Sequence, residues 1–560
     1  MKRLGLAILG IWLVCFPLYG QNAVVAPEPI AARLGMQILE QGGNAVDAAV
    51  AIGFALAVTY PQAGNIGGGG FAMVYRPGNE PVALDFRETA PWAAGKDMYL
   101  DKKGQVIPGA STLSARSAGV PGTVRGMREL WRCYGHLPWA KLLEPAIKLA
   151  KRGHRISLYQ HRAILRHLKK LSADADSRRV FCPYGNALAP NAIWHQLALS
   201  KTLNRIASHG DREFYRGQTA RDFVKELKKK GGIITLSDLE NYRAVWRTPV
   251  HVAFNGDDLY LMPLPSSGGI VIGEILGMLG NFNYHKLKPD NAETIHLLAE
   301  MEKRAYADRN TYLGGPDCFP VYWQRLLAPA YLKKRAREIH LDHATPSSQV
   351  LSGLGPVGKS GLMLKESPQT TSYAVMDANG NCVSITYTLN GSFGNGILLK
   401  NTGILLNNEM DDFSAKPGSP NLYGLVGGIS NAIEPGKRML SSMTPTIVLR
   451  NGRFRMALGS PGGSTIITTV LQTYLNLSLF SMDTTQAMNA PRFHHQWLPD
   501  EIRLEPELWK NQKLVEKLKE LGQNPHKARG LGNAVIIFQS SNGKVEAVAD
   551  PRGSGIALSR

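Results

Sequence analysis

Residues Glu366–Asn390 read ESPQTTSYAVMDANGNCVSITYTLN. Two strand-like pieces, TSYAVMD and CVSITYTL, are joined by ANGN, whose Asn379-Gly380 pair is a strong hairpin signal. Just upstream, residues 351–369 (LSGLGPVGKSGLMLKESPQ) lose periodicity and collect Gly, Ser and Pro, the composition of a loop. A buried hairpin therefore begins with two threonines directly after a segment suited to exposure. A hydroxyl at such a junction fits one chemistry. If the Gln369–Thr370 bond is held in a strained turn, the Thr370 hydroxyl can attack the Gln369 carbonyl, and water then cleaves the ester. The new chain begins at Thr370, whose freed α-amine, with a pKa of ~7.7–8.0 in a model peptide, can serve as base for its own hydroxyl. Threonine is also an ordinary strand residue, so the pair alone leaves both readings open.

Working outward, residues from Ala26 to about Ala57 are Ala-rich with helical periodicity, broken at Gly42-Gly43, with Asn44 placed to cap the second helix. They run into YPQAGNIGGGGFAMVYR, where Gly67 to Gly70 feed the strand-like FAMVY; ALDFRETAP follows as a second short strand ending at Arg87. Residues from about 120 to 345 are mostly helix-like, with one strand-like interruption near Tyr260 before a PLPSSGG turn. Beyond the hairpin, MTPTIVLR, FRMALG and AVIIFQ read as strands, and GSTIITTVLQTYLNL and ELWKNQKLVEKLKEL as helices. The carboxyl third thus mixes α and β, and no internal repeat is visible.

The chain has 560 residues, 44 % hydrophobic and 19 % charged, enough for a large buried core and unlike disordered or coiled-coil compositions. Its start, MKRLGLAILGIWLVCFPLYGQNA, combines Lys2 and Arg3 with an apolar run from Leu4 to Tyr19. This predicts a secretory signal over residues 1–20, shorter than the ~20 apolar residues of a spanning helix. Cys15 lacks the small residues that precede a lipidated cysteine. No later segment is apolar enough to span a membrane, so the expected location is exported, periplasmic or secreted. Cys133, Cys182, Cys318 and Cys382 then remain, with no CxxC pair and no nearby His at metal-ligand spacing. Disulfides are permitted; their pairing is open.

The formal charge is +20, and residues 151–230, with 18 Lys plus Arg against 6 Asp plus Glu, supply +12 of it. HRAILRHLKK and FVKELKKKGG place basic residues among apolar ones at helical spacing, which predicts solvated helical faces; attraction to an anionic surface is the alternative. No aromatic residues interleave at stacking spacing, which argues against a nucleic-acid partner.

The sequence resembles the γ-glutamyltransferase family over essentially its whole mature length. The matching pieces, in order, are GNAVDAAVA, YPQAGNIGGGGF, LDFRETAP, PLPSSGG, YADR, QTTSYAV, TYTLNGSFG, GILLNNEMDDF, LSSMTPTIV, GSPGG, NAPRFHHQWLPD and DPR. The resemblance implies an α+β N-terminal nucleophile hydrolase fold, an αββα sandwich of two stacked β-sheets between helix layers. It implies self-cleavage into a large subunit, residues 21–369, and a small one, residues 370–560, that stay together as a heterodimer. It also implies transfer of the γ-glutamyl group of glutathione and related amides to water or to an amino-acid or peptide acceptor, with no cofactor and no metal.

Such a substrate ends in a free amino acid, so its site must hold an α-amine and an α-carboxylate and stabilise an oxyanion near Thr370. Arg87 fits the carboxylate, since its planar fork binds two oxygens. Ser441 and Ser442 match the family's carboxylate-binding serines. Asn390, Glu409 and Asp412 match the amine contacts; within NNEMDDF the alignment selects Asp412 over Asp411. Gly462 and Gly463 in GSPGG match the oxyanion hole, where glycines let the backbone approach closely. No Lys-Ser/Thr follows them as in a P-loop, and GNIGGGG, Gly64 to Gly70, reads as a close-packed turn rather than a dinucleotide site. Thr388 matches the threonine that hydrogen-bonds the nucleophile and assists processing. Tyr423, in the Gly- and Pro-rich segment Lys416–Gly428, matches the family's gate tyrosine. His494 and His495, adjacent on a strand, face opposite sides and are expected to be structural.

Two rivals fit parts of this pattern. One is an acylase or poly-γ-glutamate hydrolase of the same superfamily; the complete amino-acid pocket argues against a glutaryl substrate, which lacks an α-amine. The other is a catalytically silent exported binding protein, against which the intact Gln369-Thr370 pair speaks.

Overall fold

The computed structural model describes residues 20–317, 322–355, 370–414, 416 and 428–560. The hairpin of the opening stretch lies in the middle of a sheet. Strands Thr371–Met376 and Cys382–Thr388 pair antiparallel, and the turn between them puts Gly380 at φ 81°. Seven strands run in the order Ile556–Ser559, Ala23–Ala26, Thr371–Met376, Cys382–Thr388, Gly69–Tyr75, Val82–Phe86 and Val245–Arg247. A second, six-stranded sheet runs Val545–Ala549, Val535–Gln539, Arg453–Gly459, Thr446–Arg450, Asp257–Leu261 and Val250–Phe254. Every pairing in both sheets is antiparallel.

Period-two alternation sorts the first sheet's side chains between two cores. Val25, Phe71, Met73 and Ala374 join the core shared with the second sheet and with helices Gly268–Leu279, Ala292–Tyr312 and Thr465–Ser478. Val24, Ala72, Val74, Tyr373 and Val375 point the other way, against helices Pro29–Glu40, Ala45–Thr59 and Thr123–Tyr134. Helix Ala45–Thr59 is buried along its whole length, as its near-continuous apolar sequence requires. Its start is a capping box: Asn44 accepts from the Asp47 amide at 3.0 Å, and Asp47 accepts from the Asn44 amide at 3.1 Å. The result is the expected αββα layering.

Between the sheets the seam near Thr370 is polar. The Ser372 and Thr386 hydroxyls are 3.0 Å apart, and Ser384 Oγ donates to the Leu458 carbonyl at 3.0 Å.

Three local expectations need correction. Ala26 ends a strand, Ala23–Ala26, rather than opening a helix. The interruption near Tyr260 is a two-strand hairpin, Val250–Phe254 with Asp257–Leu261, preceded by Val245–Arg247; His251 and the acids of the second strand dilute its alternation. ELWKNQKLVEKLKEL forms two helices parted at Asn511, whose side chain accepts from the Leu514 amide at 3.2 Å.

The basic helices Leu158–Arg166 and Gln218–Lys229 expose Arg162, Arg166, Lys225, Lys228 and Lys229, as solvated faces should. Lys170 and Lys230 differ. The first donates to the carbonyls of Ser392 and Gly394, and the second pairs with Asp174 and Asp176. Cys133, Cys182 and Cys382 are free thiols, and Cys318 lies outside the described residues. Among the described residues no helix is long and apolar enough to cross a membrane.

The glycine run Gly67 to Gly70 is a packing device. A Cβ on Gly68 would lie 2.0 Å from the Thr388 carbonyl oxygen, and one on Gly69 would lie 2.7 Å from a Glu88 carboxylate oxygen. Backbone cannot yield to such overlap without shifting the strand. Gly68→Ala is therefore expected to lower Tm by several degrees and to slow the formation of any species cut before Thr370, read by calorimetry and gel electrophoresis. A variant that melts and processes like the wild type would show that the close approach is dispensable.

Candidate active site

Register fixes the position of the two threonines. Tyr387 pairs with Thr371, so Thr388 lies across from Thr370 one step beyond the last ladder pair. Both are buried, and both line one cavity together with Arg87, Asn390, Glu409, Asp412, Ser441, Ser442 and Gly463. Gly462, at φ 139°, immediately precedes Gly463, at φ 59°. The pair leads into helix Thr465–Ser478, whose positive amino-terminal end favours negative charge. Gln369 and Tyr423 lie outside the described residues.

Behind the threonines the chain is held by amides. Asn65 donates to the Thr388 carbonyl at 2.8 Å and accepts from the Gly68 amide at 2.8 Å, tying the glycine run to the hairpin. Asn390 adopts φ 69°, a left-handed conformation that asparagine tolerates. Its amide donates to Thr388 Oγ1 at 2.9 Å and its Nδ2 to the Asn408 carbonyl at 3.0 Å. The loop carrying Glu409 is thereby fastened to the strand carrying Thr388.

The charged part of the site is built on Arg87, which is fully buried. Its Nη1 donates to Glu409, and its Nη2 donates to Asp412 at 2.5 Å and to the Leu440 carbonyl at 3.2 Å. Glu88 is also buried, 3.6 Å from Nη1. Burial alone opposes the charge on Arg87, but Glu409, Asp412 and Glu88 together hold its pKa above the ordinary range. The acids bear the converse effect. Burial pushes Glu88 up to about 7 against the pull of Arg87, lifts Glu409 well above the usual carboxylate range, and raises Asp412. Glu88, Glu409 and Asp412 surround the Arg87 guanidinium, and Arg309, the second cation lining the cavity, also draws on Asp412. Glu409 Oε2 and both Glu88 oxygens have no hydrogen-bond donor among the described residues. A ligand ammonium would supply what is missing, and a carboxylate on the same carbon would fall beside Arg87 and the serines.

Asp411 and Asp412 part as expected. Asp411 accepts from Ser111 Oγ at 2.5 Å, away from the cavity lining, whereas Asp412 lines it. His494 and His495 are buried and bonded apart. His494 meets Thr468 Oγ1 at 2.8 Å and Gln496 Oε1 at 2.9 Å, while His495 accepts from the Trp497 amide at 3.1 Å.

Sequence reasoning left out Glu88, Arg309 and Asn431. Glu88 was signalled only by its place beside Arg87. Arg309 lines the cavity from helix Ala292–Tyr312. Asn431 donates to the Asp412 carbonyl at 2.7 Å and accepts from the Leu440 amide at 3.0 Å, joining the acidic turn to the serine segment. No local pattern marks it.

The family model described as Gamma-glutamyltranspeptidase matches residues 31–559. The glutathione hydrolase proenzyme of Escherichia coli (strain K12) is 45 % identical over 538 residues, covering 95 % of this chain and 90 % of that protein. Among solved structures, a cephalosporin acylase from Bacillus halodurans superposes with a TM-score of 0.82 at 25 % identity, covering 99 % of both chains. The γ-glutamyltranspeptidase of Helicobacter pylori gives a TM-score of 0.58 at 42 % identity, covering 60 % of this chain and 96 % of that one.

The raised Glu88 carboxyl carries a pH signature. With a folded pKa of about 7 against an ordinary 4.5, the folded state binds the extra proton between those values, so the stability contributed by Glu88 is present below about 4.5 and declines up to about 7. Glu88→Gln removes that titration. The Tm of the variant relative to wild type should rise between pH 4.5 and 7 and level off above; a difference that is flat, or falls, across that window would mean that Glu88 is not held protonated.

Proposed function

Because the chain belongs to the γ-glutamyltranspeptidase family, and is an enzyme of that family, we propose that Thr370 is both the self-cleaving residue and the catalytic nucleophile. The observation that carries this reading is the shared cavity, in which Thr370 meets a buried Arg87, Glu409 and Asp412 set suited to a free amino-acid head group.

In processing, Thr370 Oγ attacks the carbonyl carbon of Gln369. The peptide C–N bond breaks, and the resulting ester is hydrolysed to a Gln369 carboxylate and an amino-terminal Thr370. In turnover the Thr370 amine takes the hydroxyl proton, Oγ attacks the γ-carbonyl of the donor, and the oxyanion forms beside Gly462 and Gly463. The departing amine takes up the proton as the acyl ester forms. Water or the amine of an acceptor then attacks that ester and regenerates Thr370. The donor's α-carboxylate displaces Glu409 and Asp412 from the Arg87 fork and is held there with Ser441 and Ser442, while Asn390, Glu409 and Asp412 turn to its ammonium. Thr388, opposite Thr370, assists the nucleophile. The step needs no cofactor, and glutathione is the donor class this pocket fits. The fold is shared with a cephalosporin acylase, but an acyl group without an α-amine would leave Glu409 Oε2 without a hydrogen-bond donor.

The two pieces, residues 21–369 and 370–560, stay associated as a heterodimer, and residues 1–20 direct export.

Thr370→Ala removes the hydroxyl needed for both steps. It should remain one chain and be inactive, whereas the wild type yields a fragment of 560 − 369 = 191 residues, read by intact mass and amino-terminal sequencing. A wild-type cut at any other bond would overturn the assignment.

Asp412→Asn should reduce kcat/KM for a free γ-glutamyl donor far more than for its N-acylated analogue. A hydrogen bond to a charged group contributes roughly 1.5–3 kcal/mol, or about ten- to hundredfold. Equal losses on both substrates would assign Asp412 a structural role instead.

A further inference from the structure

Two motifs quoted above, PLPSSGG and YADR, have no part in the chemistry so far, and the fold brings both against Ser441 and Ser442. From PLPSSGG, the Ser267 amide and hydroxyl both donate to the Ser441 carbonyl, at 2.8 and 2.7 Å. The Ser441 amide donates to the Pro265 carbonyl at 2.8 Å, and Ser266 Oγ donates to the Met443 carbonyl at 2.7 Å. From YADR, Arg309 reaches across. Its Nε donates to Ser267 Oγ at 2.8 Å, its Nη2 to Ser442 Oγ at 3.1 Å, and its Nη1 to Asn310 Oδ1 at 2.8 Å. Arg309 is buried and lines the cavity.

Proton counting then defines the serines. A guanidinium has donors and no acceptor, and a hydroxyl has one proton and two lone pairs. Both serine oxygens must therefore accept from Arg309. Ser267 sends its own proton to Ser441, which fixes the backbone there. Ser442 accepts from Arg309 as well, which keeps its proton off that side and leaves it to donate toward the cavity that Ser442 also lines. A serine left to itself could point either a proton or a lone pair at a ligand; an anion binds only the first arrangement. The buried charge adds to this by polarising the hydroxyl.

We propose that Arg309 is a positioning residue that sets Ser442 as a hydrogen-bond donor to the substrate α-carboxylate and, through Ser267, locks Ser441 beside it. This rests on the reading of Ser441 and Ser442 as the carboxylate-binding pair. Lysine cannot replace it fully, because one ammonium cannot span Ser267 and Ser442 in the fixed fork that arginine offers.

The test is a steady-state comparison of the processed enzyme carrying Arg309→Met, Arg309→Lys, Ser442→Ala or the Arg309→Met/Ser442→Ala pair, with a chromogenic γ-glutamyl anilide as donor. Arg309→Met and Ser442→Ala are each expected to raise KM about ten- to hundredfold with a smaller change in kcat. The double variant should be no worse than the more damaging single one, since both remove the same contact. Arg309→Lys should retain self-cleavage and show an intermediate KM. Independent, multiplying losses in the double variant would overturn the proposal, as would an unchanged KM in Arg309→Met. If Arg309→Met does not fold, a wild-type KM in Arg309→Lys overturns it by itself. An unchanged KM in Ser442→Ala would instead overturn the carboxylate assignment on which it stands.

Discussion

Arg87 is a guanidinium withdrawn from water, and the cavity is shaped by the need to keep it ionised. An unpaired buried charge costs far more than a domain's net stability, so the fold must bring partners to it. They come from three places. Glu88 is its neighbour in sequence, Glu409 and Asp412 arrive on the turn after the central hairpin, and the carbonyls of Met439 and Leu440 arrive on the segment that continues into the serines. One side chain thus pins together the acids proposed to bind the amine and the serines proposed to bind the carboxylate. That adjacency is what a ligand with both groups on a single carbon demands. The same burial raises those acids, and it leaves Glu409 Oε2 without a hydrogen-bond donor among the described residues, a place that suits an ammonium.

The nucleophile depends on a second constraint, the close approach of backbones around the hairpin. Thr370 can sit at the mouth of the inter-sheet seam because the strand beside Thr388 is led in by glycines, one of which meets the Thr388 carbonyl and another of which leaves room for Glu88. The glycine run therefore serves both the hairpin and the charge cluster, although it touches no substrate in the proposed chemistry. Its function is volume.

How much of this was legible in sequence varied with the range of the contact. The hairpin, the cap at Asn44 and the helices around Ala45–Thr59 and Thr465–Ser478 follow from local pattern, because capping and periodicity act within a few residues. The candidate site residues came from motif resemblance; the cavity gathers Arg87, Thr370, Thr388, Asn390, Glu409, Asp412, Ser441, Ser442 and Gly463, while Gln369 and Tyr423 lie outside the described residues. The strand Ala23–Ala26 was not legible: four residues beside a signal-like segment show no period, and only pairing with strands some 350 and 530 positions away makes them a strand. Val250–Phe254 was missed because its alternation is broken by His251. Arg309 and Asn431 were missed for a different reason. Arg309 stands in the matched YADR piece, yet it and Asn431 each act by joining segments far apart in sequence, which neither the motif nor the residue type announces.

The sheet order bears on how an enzyme cut in two can keep one site. In the first sheet, Ala23–Ala26 is inserted between Ile556–Ser559 and Thr371–Met376, so a strand from before Thr370 is hydrogen-bonded on both edges to strands from after it. On the other side of the hairpin, Cys382–Thr388 pairs with Gly69–Tyr75 along seven residues. In the second sheet Thr446–Arg450 pairs with Asp257–Leu261. A break before Thr370 would free a chain end without removing any of these ladders, and pulling the pieces apart would expose the cores of both sheets. The cavity is composite in the same way. Arg87 and Arg309 lie before the proposed cut, and the threonines, Glu409, Asp412 and the serines lie after it. Neither piece alone holds all of the proposed amino-acid site, so the interleaved strands that would join the pieces would also keep that site assembled.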